Sequence, residues 1–266
     1  MIGFEIILFA LLFIGVYKYQ RNWKPVYPLF YTNGELIKIG HRGAPALAHE
    51  NTLASFTKAV ETGMNGVELD VQYSADKQLV VFHDWDLKTL NGSDKIIEKM
   101  PYSEIEKTSL HDDDNNKIPL FREVLNVLSK KCIIVVEIKS VHFLNAGIEK
   151  NVLEIVKEFN FEENCIISSF NPLILWRIRK LNPNILTAFL WSKTDPQFSL
   201  NSPLWVWLCR PHAFHADIEH LDENLMSWIH RKKMSVLTFT VKTSSDLSKA
   251  KHLGVDGIIM DDPYLN

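Results

Sequence analysis

A closed α/β barrel of the triosephosphate isomerase type, (β/α)8, is the fold class this sequence predicts, and three observations carry it. Eight short apolar runs of strand length recur along the chain. Helix-period or irregular connectors separate them, the pattern of parallel strands joined by crossovers. The 266 residues suit one such barrel, whose typical size is about 250 residues. An open doubly wound sheet would carry a glycine-rich phosphate loop after its first strand. That position reads His41-Arg42-Gly43-Ala44-Pro45-Ala46, which is not one.

Taken in order, residues 1–17 are apolar apart from Glu5. At about 1.5 Å per residue a helix here reaches roughly 25 Å, a little short of a bilayer core. Residues 1–19 are therefore expected to form a single N-terminal transmembrane anchor or hydrophobic helix. A cleaved signal peptide is disfavoured, because no Lys or Arg precedes the run and no small-x-small cleavage site follows it. Lys18, Arg21 and Lys24 lie after it, so the positive-inside rule places the rest of the chain in the cytoplasm. Residues 20–34, with Pro25, Pro28, Asn33 and Gly34, read as a linker. The barrel domain is expected over 35–266.

The first strand is Leu36–Gly40. Asn51 or Thr52 can cap a helix with Leu53, Phe56 and Val60 on one face, ending near Gly63. Val67–Gln72 is the second strand, and Gln78–Phe82 its short partner. Residues 85–117 are polar and read as an insertion with one short helix near Tyr102–Lys107. Phe121–Ser129 is helical. The remaining strands are Cys132–Ile138, Cys165–Ser168, Ile185–Leu190, His212–Ala216, Ser235–Val241 and Gly257–Met260. Helical patterns lie over 145–159, 171–181, 222–232 and 244–252.

Composition narrows the function. The net charge is −3 and no basic run follows the N-terminal region, which argues against nucleic acid as a partner. Cys132, Cys165 and Cys209 are widely spaced and read as buried thiols. His212 and His215 have no cysteine or acid at zinc spacing. Asp112–Asp114 reads as a solvated loop.

The polar residues that remain cluster at strand ends, where barrels carry their chemistry. His41 and Arg42 follow the first strand. Glu68 and Asp70 lie at i and i+2 in the second, so both point to one face. His83 and Asp84 follow the short partner strand. Glu137 and Lys139 repeat the i, i+2 spacing at the end of the third. Ser168, Ser169 and Phe170 follow the fourth, and Asp261 and Asp262 the eighth. Carboxylates on apolar strands are costly to bury uncompensated. An oxygen-only donor set suits Mg²⁺ or Ca²⁺ better than zinc. A cation beside Arg and Lys makes a phosphate pocket, and two imidazoles can exchange protons near neutral pH. The chemistry these groups support is metal-assisted cleavage of a phosphate ester.

The same residues resemble the glycerophosphodiester phosphodiesterase family. The match runs through His41-Arg42-Gly43, Glu50-Asn51-Thr52, Glu68-Leu69-Asp70-Val71, His83-Asp84, Ile118-Pro119-Leu120, Glu137-Ile138-Lys139, Ser169-Phe170 and Gly254-Val255-Asp256-Gly257, with Asp261 and Pro263. The resemblance implies an eight-stranded barrel with a small insertion after the His-Asp pair. It implies that Glu68, Asp70 and Glu137 bind the divalent metal and that His41 and His83 are the acid–base pair. Arg42 would steady the phosphate, and Lys139 would contact phosphate or glycerol. Glu50, Ser169, Phe170 and Phe239 are further candidates for the pocket. The implied reaction is hydrolysis of a glycerophosphodiester to sn-glycerol 3-phosphate and an alcohol through a cyclic phosphate. His49, Phe239, Lys242 and Met260 depart from the family pattern, which bears on specificity rather than on the metal or acid–base groups.

Two other readings compete. A lysophospholipase D would act on membrane lysophospholipids, aided by the anchor and by aromatics expected near the barrel mouth (Trp191, Phe198, Trp205, Trp207). A barrel that has lost catalysis would only bind phosphodiesters or a protein.

Overall fold

The computed structural model describes residues 11, 14–19, 23, 25, 35–110, 113–128, 132–140, 147–194 and 202–266, with backbone alone for 113–116. Among the described residues eight parallel strands form the barrel: β1 (Ile37–Gly40), β2 (Gly66–Tyr73), β3 (Ile133–Ile138), β4 (Cys165–Ser169), β5 (Leu186–Trp191), β6 (Ala213–Asp217), β7 (Ser235–Val241) and β8 (Gly257–Met260). Each pairs with the next in the chain. The barrel closes because β1 pairs with both neighbours, Ile37 through Gly40 with Gly257 through Met260 and Ile39 and Gly40 with Gly66 and Val67. The expected strands lie within a residue or two of those observed. They are buried on both faces and so read as near-continuous apolar runs.

Period-two alternation splits each strand between two cores. Val67, Leu69 and Val71 face the helices and join the large outer core. Ile37, Ile39, Ile133, Val135, Ile166, Ala188, Ala213, Leu237 and Ile259 fill the barrel interior. The inward positions beyond that apolar plug are polar. On β3, Val135 is followed two residues later by Glu137. On β2, Glu68 and Asp70 take the corresponding places, with Asp70 in register with Glu137. Gly66 leaves room beneath them, since a Cβ there would lie 2.3 Å from the Ile133 carbonyl oxygen.

The connector after β1 is set by one cap and one glycine. Thr52 Oγ1 accepts from Ser55 N and starts the helix Leu53–Glu61. Gly43 has φ +94, and a Cβ there would meet Ser55 Oγ at 2.3 Å. Glycine is therefore required where the His-Arg-Gly turn packs on that helix.

The insertion is more ordered than its polar sequence suggests. Beside the expected helix, seen as Tyr102–Ile105, it holds a second helix, Lys88–Asn91. Two short antiparallel pairs accompany them, Asp86–Leu87 with Ser93–Ile96 and Ser109–Leu110 with Asp113–Lys117. A small core of Val80, Leu87, Ile97, Met100, Ile105, Leu110 and Ile118 holds these pieces to the strand Leu79–Val81, which pairs antiparallel with β2.

The expected membrane anchor is not supported. Among the described residues no helix is long and apolar enough to cross a membrane. Residues 14–19 are helical, while residues 1–10 lie outside the described residues. An apolar run already short of the bilayer core left no margin. The transmembrane anchor and the membrane partner therefore lack support, and the cytoplasmic placement inferred from the anchor falls with them. Most of the 20–34 linker, Asp112 and Phe198 also lie outside the described residues. Trp23 is described, and it packs on the barrel, donating from Nε1 to the Pro211 carbonyl.

The aromatics at 205 and 207 do not flank the mouth. Trp207 stacks edge-on with Trp23 and lies under the Lys232 ammonium, 3.7 Å from ring centroid to Nζ. Lys232 follows the helix Glu223–Arg231 and precedes β7, and Pro211 precedes β6. This cluster therefore belongs to the N-terminal end of the barrel, opposite the strand ends that carry the polar groups.

Candidate active site

The mouth is built from side chains that the backbone aims at one point. Glu68, Asp70 and Glu137 each offer a carboxylate oxygen, and these atoms lie within 4.8 Å of one another. Arg42 sits at φ +55 in the turn after β1, which brings its backbone N–H within 3.0 Å of Glu68 Oε2. Its guanidinium donates to Glu50 Oε1 at 2.6 Å, and its Nε lies 3.5 Å from Asp70 Oδ2. Lys139 is buried, with Nζ 3.5 Å from Glu137 Oε1 and 3.7 Å from Asp70 Oδ1. Asn51, also left-handed, donates from Nδ2 to Asp70 Oδ2 at 2.9 Å.

Three buried carboxylates face two cations here, and the electrostatics show the shortfall. Burial, then the charges of Asp70 and Glu137, push the Glu68 carboxyl well above the usual range. Burial pushes Glu137 up to about 7 despite the attraction of Lys139. Burial alone would raise Asp70 too, but Lys139 and Arg42 overcome it and hold that carboxyl at about 2. Burial works to lower Lys139, and the Glu137 and Asp70 charges outweigh it. Two of three converging acids thus favour their protonated forms unless another positive charge joins them. Hard carboxylate oxygens in this number and spacing fit Mg²⁺ or Ca²⁺.

Each histidine is held by its own acid. His41 Nδ1 lies 2.7 Å from Asp261 Oδ1, a contact that needs β1 and β8 side by side. His83 Nδ1 lies 2.7 Å from Asp84 Oδ1, and the Thr89 hydroxyl donates to the other Asp84 oxygen. Gln72, two residues after Asp70 on β2, donates from Nε2 to the carbonyls of Phe82 and Asp84, which fixes the backbone around His83. In each pair an Nδ1–H given to the carboxylate leaves Nε2 free for substrate. Burial lowers the His83 imidazole below its ordinary value. Burial works to raise Asp261, and the His41 hydrogen bond together with the charges of His41, Lys242 and Arg42 brings the carboxyl down.

The other candidates fall in distinct places. Phe170 and Phe239 meet edge-on at 6.0 Å across the far side of the mouth. The Ser169 hydroxyl donates to the Ile138 carbonyl and accepts from Asn171 N, so it is committed to backbone. Glu50 is engaged by Arg42. A cavity of about 430 Å³ opens beside Arg42 and His83, between the 49–51 turn and the insertion.

Sequence reasoning gave no role to Asp261, Asp84, Asn51 or Gln72. The adjacency of His83 and Asp84 and the position of Asp261 after the eighth strand were the available signals. Asp261→Asn keeps the shape and removes the charge that steadies His41. It is expected to lower kcat by about 10²-fold with little change in KM, and to shift the pH profile of kcat. Steady-state kinetics across pH with a glycerophosphodiester checks this.

Comparisons with known proteins agree with the geometry. Residues 41–265 match the model of the glycerophosphoryl diester phosphodiesterase family. The chain is 34% identical over 235 residues to a glycerophosphodiester phosphodiesterase of Caldanaerobacter subterraneus subsp. tengcongensis, covering 85% of this chain and 94% of that one. Among solved structures it is similar to the glycerophosphodiester phosphodiesterase of Thermotoga maritima (31% identity, TM-score 0.71, 86% and 96% of the two chains). It is also similar to a phosphodiesterase of Oleispira antarctica in complex with the product sn-glycerol-3-phosphate (26% identity, TM-score 0.73, 85% and 93%).

Proposed function

Because the chain belongs to the glycerophosphoryl diester phosphodiesterase family, we propose that it hydrolyses glycerophosphodiesters by a metal-assisted, two-histidine route through a cyclic phosphate. The observation that carries this reading is the pair of acid-anchored imidazoles beside the buried carboxylate triad, Arg42 and Lys139. The catalytic unit is the barrel domain, 35–266.

Arg42 and Lys139 bind the phosphate oxygens and orient the phosphorus. His41 takes the proton of the glycerol 2-hydroxyl as that oxygen attacks phosphorus. His83 gives its proton to the departing alcohol, whose bond to phosphorus breaks. The assignment follows the cavity, which lies on the His83 side and leaves the Phe170–Phe239 side for glycerol. In the second half the roles reverse. His83 takes a proton from water as it opens the ring, and His41 returns one to the glycerol oxygen. A nucleophile tethered within the substrate avoids the entropy of bringing it in. A Mg²⁺ or Ca²⁺ ion held by Glu68, Asp70 and Glu137 would neutralise charge that builds on the phosphoryl oxygens. The lysophospholipase D reading loses the support of Trp207, which lies at the opposite end of the barrel.

Phosphorus NMR of glycerophosphocholine with Mg²⁺ or Ca²⁺ tests the proposal. Glycerol 3-phosphate should appear, with glycerol cyclic phosphate passing through a maximum. A diester lacking the 2-hydroxyl should be inert. Cleavage of that analogue at the normal rate would overturn cyclisation, and no cleavage of any diester would overturn the hydrolase reading.

A further inference from the structure

We propose that the barrel interior beneath the carboxylates is a built site for ordered water, framed by Ser168, His215 and Ser235, and that this water anchors the Glu68 carboxylate. The second half rests on the reading above that Glu68 holds a cation.

The room comes from the register. Ser168, Ala188, Ala213 and Ser235 are partners across β4, β5, β6 and β7, so four small side chains form one row. All four point inward. Ala188 and Ala213 belong to the apolar plug, Ser168 lies two residues after Ile166 of that plug, and Ser235 two before Leu237. Barrel interiors are normally filled by bulky branched residues at such places. His215 stands two residues beyond Ala213, over the row, with Leu190 and Leu237 as its register neighbours.

The lining calls for a ligand. Among the described residues Ser168 Oγ, Ser235 Oγ and both ring nitrogens of His215 are buried without a hydrogen-bond partner. All three residues are 0% exposed. Burial pushes the His215 imidazole down to about 3, so the ring is neutral, with one N–H to give and one lone pair to receive. The flanking leucines offer neither. Cores rarely leave such groups unpaired, and a buried water with about three polar partners is their usual complement.

The same register carries the site to the carboxylates. Partners step by about one residue per strand around such a barrel, which gathers the inward side chains of alternate strands into layers of four. Glu68 of β2, Ser168 of β4, His215 of β6 and Ile259 of β8 fall in one layer. The Arg42 N–H holds Glu68 Oε2 from the turn after β1. Water bound by Ser168 and His215 would hold the same carboxylate from the barrel side, as the outer partners of metal ligands do.

Three measurements on the full chain test this. A high-resolution crystal structure should show ordered water within hydrogen-bond distance of Ser168 Oγ and a His215 ring nitrogen. Ser168→Ala should lower the Tm of the cation-free protein by about 2 °C or more. In a dry core it would only remove an orphaned hydroxyl, and Tm would hold or rise. Calorimetry with Mg²⁺ or Ca²⁺ should show affinity weakened about tenfold by Ser168→Ala and by His215→Leu. His215→Gln keeps a donor and an acceptor and should stay within about threefold of the wild type. If His215→Leu does not fold, Ser168→Ala decides, with Ser168→Thr as its rescue. A dry interior, a Tm that holds or rises in Ser168→Ala, or affinity unchanged by these variants would each overturn the inference and leave the hydrolase reading standing. A wild type that binds neither cation would instead overturn the parent reading, with the crystal structure and Tm still deciding the water site.

Discussion

Replacing His83 by Asn should lower kcat on glycerophosphocholine by about 10²- to 10⁴-fold, and His41→Asn should do the same. The two losses arise at different bonds, and a change of leaving group separates them. With a p-nitrophenyl glycerophosphodiester the phenol departs without needing a proton. His83→Asn should then slow the first release of phenol in a single turnover by less than about tenfold, while His41→Asn keeps its full defect in that step, because the glycerol hydroxyl still has to be deprotonated. The double variant should be little slower than the worse single one, since both imidazoles serve one concerted exchange. Equal losses for both variants on both diesters would sink the assignment of His83 as donor, and wild-type rates in both would sink the acid–base pair itself. KM should move little, because in the proposed mechanism Arg42 and Lys139 bind the phosphate, and those two cations pair with Asp70 and Glu137 rather than with either imidazole.

These expectations lean on contacts of unequal legibility in the sequence. Glu68 and Asp70 were readable because a strand alternates its faces every residue, so acids two apart on an apolar run must share a face. Glu137 and Lys139 repeat that logic on Ile133–Ile138. His41 and Asp261 are 220 positions apart and meet only because the last strand closes against the first. No local pattern announces such a pair. Asp84 was adjacent to His83, yet nothing local says which way its carboxylate turns. The insertion hid its strands because elements of two to five residues carry too little periodicity to see. The apolar N-terminal run misled because hydropathy reports composition, whereas spanning needs length. Trp205 and Trp207 misled because an aromatic run carries no mark of which end of a barrel it joins.

Stripping divalent cations with a chelator should abolish activity, and Asp70→Asn should lower kcat/KM by about 10³-fold or more even in saturating Mg²⁺ or Ca²⁺. Asp70 is the most consequential of the three acids because it alone is held ionised without an ion, at about 2, by Lys139 and Arg42. Glu137, at about 7, keeps its proton in the cation-free protein below neutrality, and burial pushes Glu68 in the same direction. Cation binding must therefore expel protons. The sign is fixed: as pH falls below about 7 the apparent affinity should weaken, by about tenfold per pH unit for each proton released. Titration calorimetry in two buffers of different ionisation enthalpy counts those protons directly. Stability should carry the mirror image. The folded cation-free protein binds more protons than the unfolded chain between the ordinary glutamate value and the raised ones, so its melting temperature should fall as pH rises through that window. Saturating cation should remove the slope. A pH-independent affinity with no proton release would mean that the three carboxylates do not share one ion. Full activity in chelator would remove the metal from the mechanism and leave Arg42 and Lys139 as the sole counter-charges at phosphorus.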